Sequence, residues 1–302
     1  MSDNMLFRGE DCEQFSEYRT VLKEHCIACG SREFGLWAIA GSYKAVQCVK
    51  CRLVWMSPFL NDEGLGKYYA NYIGRRRLNN DLKMEQRKIQ YQSDREFIEH
   101  FINDGKILDV GCNGGFFLEA LSTKFEKHGI EIDPEAVAYA KKTQKTFGKN
   151  ILCVALERAP YENTSFDMIA MRGTIEHLSD PVNAIKKVSQ LLKKGGYYYI
   201  TATPNAESFA ADLFRDKWTL FHPVQHIWHF SPKTLSLICS RFGLKLIAKD
   251  FPYLGTPYEN ARENVKVVAE AIKSREQNPS AELPISPPFF ENMMALVFEK
   301  VE

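Results

Sequence analysis

The chain has 302 residues, with 39 basic and 38 acidic side chains and a formal net charge of +1. This balance argues against a protein that coats nucleic acid with a general basic surface. Apolar residues make up 45% and charged residues 25%, which is typical of a folded globular chain and excludes general disorder. The N-terminal stretch lacks the pattern of a secretory signal, and no run approaches the roughly 20 apolar residues of a membrane span. We therefore expect a cytoplasmic protein with reduced cysteines.

Four of the eight cysteines form two CxxC pairs, Cys26 with Cys29 and Cys48 with Cys51. The separation of the pairs predicts a four-thiolate zinc site, and four protein ligands favour a structural over a catalytic metal. The intervening runs LWAIA and YKAVQC predict the two strands of a ribbon hairpin. Four metal-free buried cysteines and a redox CxxC are the alternatives.

Residues 61–104 are interpreted as a helical connector or lid. Apolar residues recur at a spacing of three to four over 82–101, which predicts an amphipathic helix. Tyr68, Tyr69 and Tyr72 either close over a ligand or pack between domains. The arginine run at 75–77 either faces solvent or grips a phosphate.

Strand and helix patterns alternate from residue 105, which predicts an α/β fold with a Rossmann-like, doubly wound, mostly parallel sheet. The last apolar run is predicted to be an edge strand of opposite direction. We expect a ribbon segment at 1–60 and a large domain at 105–302, with inserts at 205–231 and 252–290. The predicted strands cover residues 106–111, 128–133, 150–156, 166–171, 196–204, 244–251 and 291–300.

A glycine-rich turn, Gly111-Cys-Asn113-Gly-Gly115, joins the first predicted strand of this domain to a helix. Such a turn lets the backbone approach a ligand at the helix N-terminus. Glu131 lies at the carboxyl end of the next predicted strand, where a carboxylate is placed to take both hydroxyls of a ribose. Asn113 replaces the second glycine of a dinucleotide motif, which weighs against a nicotinamide or flavin cofactor.

Four segments in series resemble the motifs of class I S-adenosylmethionine-dependent methyltransferases. They are ILDVGCNGGFFLEAL, HGIEIDPEAVAYA, SFDMIAMRGTIEHLSDP and LLKKGGYYYITATPN, and the resemblance covers roughly residues 105–250. It implies S-adenosylmethionine as the cofactor. It also implies a role for each site residue. The methionine pocket would be formed by Asp109, Gly111, Asn113 and Gly115. Glu131 would bind the ribose, Leu156 would contact the adenine, and Arg172 would lie at the methionine end of the cofactor.

The N-terminal segment CIACG…CVKCRLVWMSPF…LGKYYANY resembles the zinc-binding entry segment of methyltransferases from sugar and surface-polysaccharide pathways. This resemblance implies a small-molecule acceptor, namely a nucleotide-linked sugar or polysaccharide precursor. One alternative is an RNA methyltransferase that docks RNA through the ribbon, which the even charge disfavours. Another is a noncatalytic zinc-ribbon or scaffold protein.

Two histidines are candidates for the chemistry. A sugar hydroxyl is a weak acid, so O-methylation benefits from a general base, usually histidine. His226 lies in WTLFHPVQHIWHFSPKTL, which resembles a recurrent P-x-x-H-x-x-H-F-S run of the family, and we predict it to be the base. His177 follows the fourth strand and is predicted to orient groups near the site or to act as the base. The alternative for both is a capping or core role, and transfer to O, N or C stays open.

Overall fold

The computed structural model describes residues 15–70 and 81–302, and divides them into two compact units. The ribbon unit comprises 15–65, 204–235 and 251–294, and the sheet unit comprises the remaining described residues. Both predicted inserts, at 205–231 and 252–290, therefore group with the ribbon residues, because distant segments pack together in a way that local periodicity does not encode. Tyr72 and the arginine run at 75–77 lie outside the described residues.

The strands are numbered in chain order. They are β1 (Arg19–Val21), β2 (Phe34–Ala40), β3 (Tyr43–Cys48), β4 (Val54–Met56), β5 (Phe59–Leu60), β6 (Gly105–Val110), β7 (Phe125–Glu131), β8 (Ile151–Cys153), β9 (Phe166–Arg172), β10 (Leu192–Pro204), β11 (Trp228–His229), β12 (Leu244–Asp250) and β13 (Met293–Lys300).

The α-helices are α1 (Asp62–Ala70), α2 (Asp81–Ile98), α3 (Phe116–Ala120), α4 (Pro134–Thr143), α5 (Pro181–Leu191), α6 (Phe209–Phe214), α7 (Pro232–Cys239) and α8 (Ala261–Gln277). The predicted amphipathic helix at 82–101 corresponds to α2. Helix α8 has no counterpart among the predicted elements, and the proline-rich stretch after it forms the expected loop.

The sheet unit is built on seven strands in the order β12-β13-β10-β9-β6-β7-β8. The pairs β10–β9, β9–β6, β6–β7 and β7–β8 are parallel, and β12–β13 is antiparallel. This confirms the predicted α/β class with an antiparallel last strand. The predicted edge position of the last strand is wrong, since β13 lies between β12 and β10. Its run of five buried residues explains the position, because an interior strand is covered on both faces.

Local chemistry accounts for the helix after β7. Asp133 caps α4, accepting hydrogen bonds from the backbone N–H groups of Glu135 and Ala136, and Pro134 occupies the first turn. A carboxylate cap satisfies amides that have no partner within the helix, and proline loses nothing there. Asp180 and Pro181 repeat this arrangement at α5. Both helices therefore start at an aspartate–proline pair that the sequence displays.

Helix α2 presents a mixed face to the core of the sheet unit. Tyr91, Asp94 and Ile98 are buried at the spacing of one helical face. Tyr91 and Ile98 belong to the hydrophobic core formed with α3, α4 and the central strands. The carboxylate of Asp94 is thus carried into an otherwise apolar layer.

The ribbon unit contains a four-stranded sheet in the order β11-β4-β3-β2. Strands β2 and β3 pair antiparallel as the hairpin that the sequence predicts between the two CxxC pairs. Trp55 of β4 is fully buried and lies opposite Trp228 of β11, which connects the hairpin to the segment after residue 204. Large aromatic side chains such as these two bury extensive apolar surface.

Within the described part of the chain, no helix combines the length and apolarity required to cross a membrane.

Candidate functional site

The candidate site lies at the carboxyl ends of the parallel strands of the sheet unit. Strand β6 is central, with β7 on one side and β9 on the other. The chain therefore reverses its direction of travel across the sheet at β6, and open α/β sheets bind ligands in the crevice at such a point. The loops after β6, β7 and β9 carry most of the site residues predicted from the sequence.

The glycine turn after β6 adopts the conformation that its residues favour. Gly111 and Gly115 both have φ of +77°, and Asn113 has φ of +50°, which asparagine tolerates. A Cβ at Gly111 would lie 2.7 Å from Thr174 Oγ1 in the loop after β9. Thr174 Oγ1 also donates a hydrogen bond of 3.2 Å to the carbonyl of Val110, which fixes the two loops side by side.

Glu131 lies directly against this turn. Its Oε2 accepts a 2.9 Å hydrogen bond from the backbone N–H of Asn113. Its Oε1 accepts from the N–H groups of Ile132 and Asp133 at 2.7 and 3.1 Å. An ionised carboxylate has about four acceptor positions. The backbone N–H groups therefore orient the Glu131 carboxylate, and its remaining acceptor position can bind a ligand hydroxyl.

Asp109 is buried in β6, with a side chain only 2% exposed. Its Oδ1 is fully buried and has no hydrogen-bond partner among residues 15–70 and 81–302. Burial raises the pKa of Asp109 well above its usual range, nearby Arg172 lowers it, and Glu131 and Asp94 raise it further. A buried oxygen without a partner is destabilising, so this atom marks a place where a ligand donor fits.

Arg172 ends β9, but its side chain is not directed to solvent. Its Nε donates to Asp94 Oδ2 at 2.7 Å, and its guanidinium lies 4.5 Å from the ring centroid of Tyr91. Asp94 Oδ1 also accepts from Tyr199 Oη at 2.8 Å and from Thr201 Oγ1 at 2.7 Å. The side chain of Arg172 thus forms a buried ion pair, which the sequence does not predict.

Leu156 begins a short 3₁₀ turn, Leu156–Arg158, shortly after β8, and its side chain is buried. The predicted third strand is shorter than expected and stops at Cys153. Leu156 therefore places a buried apolar side chain at this edge of the sheet unit.

A polar chain follows the turn after β9. His177 Nδ1 lies 3.0 Å from Tyr69 Oη, and His177 Nε2 lies 3.8 Å from Glu176 Oε1. Glu176 Oε2 accepts from Thr203 Oγ1 at 3.1 Å. Burial raises the pKa of Glu176 to about 8, although hydrogen bonds from its own backbone N–H and from Thr203 lower it. The structure thus brings together Tyr69, His177 and a buried carboxyl group.

His226 belongs to the ribbon unit, where it is buried among aromatic rings. Its Nδ1 lies 2.9 Å from the carbonyl of Leu220, which accepts a hydrogen bond and leaves the lone pair of the neutral ring on Nε2. Burial lowers the pKa of His226 to about 4, against the opposing effect of Leu220. His226 is therefore neutral at pH 7. His229 is also buried, and burial followed by the charge of His226 lowers its pKa well below the ordinary value.

The four cysteine thiols of the CxxC pairs converge in the ribbon unit. Sγ of Cys26 and Sγ of Cys51 are 3.4 Å apart, those of Cys29 and Cys48 are 3.5 Å apart, and all four sulfurs lie within 4.8 Å of one another. Zn–S bonds of about 2.3 Å place tetrahedral sulfurs about 3.8 Å apart, so the donor set fits zinc.

The electrostatics of the cluster differ from thiol to thiol. Burial raises the pKa of Cys26 to about 11. Burial also acts to raise the pKa of Cys48, but hydrogen bonds from the backbone of Cys51 and Lys50 and from Cys29 lower it to about 7. Backbone N–H donors at a CxxC turn stabilise thiolate, which is the form that binds metal.

Two acidic residues at the site are missed by sequence reasoning. Asp94 is the buried partner of Arg172, and Glu176 adjoins His177. Asp94 leaves one signal, since it lies on the apolar face of a predicted amphipathic helix. Glu176 leaves none, because nothing in a GTIEHL turn indicates which polar side chain is buried.

A family model described as a methyltransferase domain matches residues 77–249, which is more than half of the chain. Two curated relatives are ubiquinone biosynthesis O-methyltransferases, from Idiomarina loihiensis and Thiobacillus denitrificans. Each is 30% identical over 109 residues, which is 34% of this chain and 45% or 47% of the relative. The chain thus spans about half the length of these relatives.

Two solved structures have a similar fold. One is described as a methyltransferase from Bacillus halodurans, with a TM-score of 0.50, 14% identity, and coverage of 70% of this chain and 99% of that one. The other belongs to a complex of the Haloferax volcanii Trm112 methyltransferase activator with a methyltransferase. Its TM-score is 0.50 at 15% identity, covering 72% of this chain and 97% of that one. The family match and the observed sheet agree, and the chain belongs to the methyltransferase-domain family.

Proposed function

We propose that the protein transfers a methyl group from S-adenosylmethionine to a hydroxyl group of a small-molecule acceptor. The observation that carries this proposal is the 2.9 Å hydrogen bond between the Asn113 N–H and Glu131, at the point where the sheet reverses direction. It holds a carboxylate beside a glycine turn, and both stand at the rim where α/β sheets bind ligands. The methyltransferase-domain match over residues 77–249 supports the same chemistry.

The residues of this rim fit S-adenosylmethionine group by group. Glu131 would hold the ribose hydroxyls with its remaining acceptor capacity, and Leu156 would contact the adenine. Gly111 and Gly115, with Asn113 between them, would let the backbone approach the methionine portion. Oδ1 of Asp109, which has no partner among the described residues, would accept a hydrogen bond from the ammonium group of the cofactor. When bound, the cofactor supplies an electrophilic methyl group, so the protein chiefly orients the acceptor and removes its proton.

His226 is our candidate for the base. It is neutral at pH 7, and its Nδ1 contact with the Leu220 carbonyl places the ring lone pair on Nε2. His177 is proposed to orient the acceptor together with Tyr69, since the two side chains are 3.0 Å apart. Arg172 is proposed to support the methionine end, although its own side chain is held by Asp94.

The pH profile of turnover separates these two histidines. A base whose pKa is about 4 stays deprotonated down to about pH 5, so we expect no loss of kcat/KM between pH 7.5 and 5.5 from this group. A base with the ordinary histidine value of about 6.5 would lose activity across that range. His226→Ala should abolish turnover with cofactor binding retained, and normal turnover in that variant would transfer the role to His177.

The acceptor is proposed to be a nucleotide-linked sugar or a related polysaccharide precursor. This finer statement is supported by the resemblance of the cysteine-bearing N-terminal segment. The two relatives named as O-methyltransferases support transfer to oxygen, but their names associate them with ubiquinone biosynthesis. We expect a methylated nucleotide sugar when the protein is incubated with S-adenosylmethionine and a panel of nucleotide sugars, read by mass spectrometry. A parallel panel of phenols is the decisive comparison, since methylation of phenols alone would exclude the sugar proposal.

The cysteine cluster is proposed to hold one structural zinc ion per chain. The sulfur separations support this, and all four coordination positions would be filled by protein. The ion would stabilise the β2–β3 hairpin and take no part in methyl transfer. Metal analysis of the purified protein tests the stoichiometry directly.

A further inference from the structure

One buried face of the sheet unit carries three charged side chains, Asp94, Asp109 and Arg172. Binding of the methionine portion, as proposed above, uses Asp109 but leaves the roles of Asp94 and Arg172 unexplained. Asp109 pairs with Ala170 across β6 and β9, Ala170 pairs with Tyr199, and Arg172 pairs with Thr201 across β9 and β10. Laterally paired residues, and residues two apart along a strand, share one face of a sheet. Asp109, Arg172, Tyr199 and Thr201 therefore all lie on the same side.

That side is the one covered by α2, because three of these groups contact Asp94. Its two carboxylate oxygens accept from Arg172 Nε at 2.7 Å, Tyr199 Oη at 2.8 Å and Thr201 Oγ1 at 2.7 Å. The side chain of Asp94 is 7% exposed and that of Arg172 is 17% exposed. The pair is thus fixed in position and shielded from water. In the protein interior, charges act over longer distances than they do at a surface.

A charge count shows what the ion pair leaves over. Arg172 is the cation of this group, and Asp94 and Asp109 are its two carboxylates. The guanidinium is hydrogen-bonded to Asp94, whereas Asp109 keeps a buried oxygen that has no partner in the described part of the chain. The group therefore has one carboxylate more than it can neutralise. Arg172 is near enough to Asp109 to act on it electrostatically, as are Glu131 and Asp94.

We propose that Asp94 and Arg172 are positioning residues that together set the charge of Asp109, which then binds the ammonium group of the cofactor. Arg172 favours the ionised form of Asp109, and Asp94 restrains Arg172 so that it does not itself neutralise that carboxylate. The inference rests on the proposed function, since the ammonium group belongs to S-adenosylmethionine.

The test compares two ligands over a range of pH. S-adenosylmethionine carries the ammonium group, and 5′-methylthioadenosine has the same nucleoside without the amino-acid portion. In wild-type protein we expect the affinity for S-adenosylmethionine to fall as pH drops, by up to about tenfold per pH unit once Asp109 takes up its proton. The affinity for 5′-methylthioadenosine should change less. Both ligands carry the ribose that Glu131 would bind, so the ratio of the two dissociation constants measures the effect of Asp109 on the ammonium group alone. Cys112 and Tyr199 are further titratable groups near this carboxylate, and burial raises the pKa of each well above its ordinary value. Both therefore stay protonated over pH 5.5 to 8. The ring of Tyr91 lies against the guanidinium of Arg172.

Two variants should move this pH profile in opposite directions. Arg172→Met removes the cation that favours ionised Asp109, so the midpoint should rise by about one pH unit or more. Asp94→Asn removes a repelling carboxylate and frees the charge of Arg172, so the midpoint should fall by a similar amount. Arg172→Lys keeps the charge and should retain the wild-type midpoint. Thr201→Val removes one hydrogen bond to Asp94 without changing any charge, and it serves as the matched control.

A purely structural role would weaken both ligands in both variants without opposite shifts, and that result overturns the inference. Circular dichroism shows whether Arg172→Met folds. If it does not, the isosteric variant Asp94→Asn still tests the inference, because its pH midpoint should fall. A wild-type ratio that does not vary with pH also overturns it. A protein that binds neither ligand refutes the proposed function, and this inference with it. A protein that binds both ligands, with unshifted variants, refutes the inference alone.

Discussion

The two units differ in which buried side chains respond to acid. The ribbon unit contains the buried histidines His226 and His229, whose pKa values burial lowers, so both rings are neutral at pH 7. The sheet unit contains the buried acids Asp109 and Glu176, whose pKa values burial raises. Desolvation disfavours the charged form in each case, but it releases a proton from a histidine and retains one on an acid.

The difference gives the two units opposite responses to acid. A histidine with a depressed folded pKa favours the unfolded state as pH falls below about 6.5, because the unfolded chain takes up the proton. An acid with a raised folded pKa favours the folded state as pH falls from its folded to its unfolded value, because the native protein takes up the proton first. Moderate acidification should therefore weaken the ribbon unit and strengthen the sheet unit.

The largest expected effect concerns the thiols. Cys48→Ala breaks the cluster, and loss of a structural zinc removes on the order of 10 kcal/mol in small zinc domains, so we expect the β2–β3 hairpin to unfold. Hydrogen exchange should rise sharply in residues 26–51 and remain unchanged in residues 105–131. Cys153→Ala alters an exposed cysteine outside the cluster and should have neither effect. Protection that survives both Cys48→Ala and zinc chelation would show that the cluster does not depend on metal.

The opposite pH responses can be tested with Glu176→Gln. The folded pKa of about 8 against an ordinary 4.5 corresponds to up to about 5 kcal/mol of pH-dependent stability. That stability is fully present below about pH 4.5 and is lost as pH rises to about 8. The amide should abolish this slope in the sheet unit, as measured by denaturant unfolding at several pH values. An unchanged slope would mean that Glu176 is ionised in the native protein.

His226→Gln is the corresponding variant of the ribbon unit. The folded pKa of about 4 against an ordinary 6.5 corresponds to about 3 kcal/mol, lost as pH falls from about 6.5 to about 4. The variant should therefore unfold less readily at pH 5 than wild type in this unit. Hydrogen exchange of residues 204–235, corrected with an unfolded peptide at each pH, measures the difference. Greater sensitivity to acid in the variant would contradict the burial argument.

A smaller effect is expected at Glu131, which is held by backbone amides at the edge of the site. Glu131→Ala should weaken S-adenosylmethionine binding by about 1 to 3 kcal/mol, the range for a hydrogen bond to a charged group. Calorimetry measures this loss. Glu135→Ala removes an exposed carboxylate four residues further on and should leave the affinity unchanged. Equal losses in the two variants would point to general charge rather than to a ribose contact.

The smallest effect is expected at a helix cap. Asp133→Ala removes the acceptor of two backbone N–H groups at the start of α4 and should destabilise the sheet unit by about 1 kcal/mol. Asp180→Ala at α5 should give a similar value, since that cap has the same residue type and also precedes a proline. Denaturant midpoints measure both. A much larger effect at Asp133 would indicate that the cap also supports the neighbouring Glu131.

The sequence predicts those parts of the fold and site that depend on local spacing. The two CxxC pairs, the glycine turn and a strand with Glu131 near its carboxyl end each follow from neighbours in the chain, and the structure contains all of them, although the strand covers 125–131 rather than the predicted 128–133. Asp94 and Arg172 are 78 residues apart, and no local pattern indicates that they pair. For β13, the sequence predicts the opposite direction of the strand but not its interior position. The neighbours of a strand depend on long-range pairing, which no local pattern indicates.

Strand β13 has a consequence for the order of folding. It separates β10 from β12, so β12 has no neighbour in the sheet until residues 293–300 have been made. A ribosome synthesises β12 some forty residues before its partner. During that interval β12 exposes unpaired backbone groups on both sides, a state that invites wrong pairing. The five-stranded parallel portion can assemble first, and closure with β13 and β12 would then be the last event in forming the sheet.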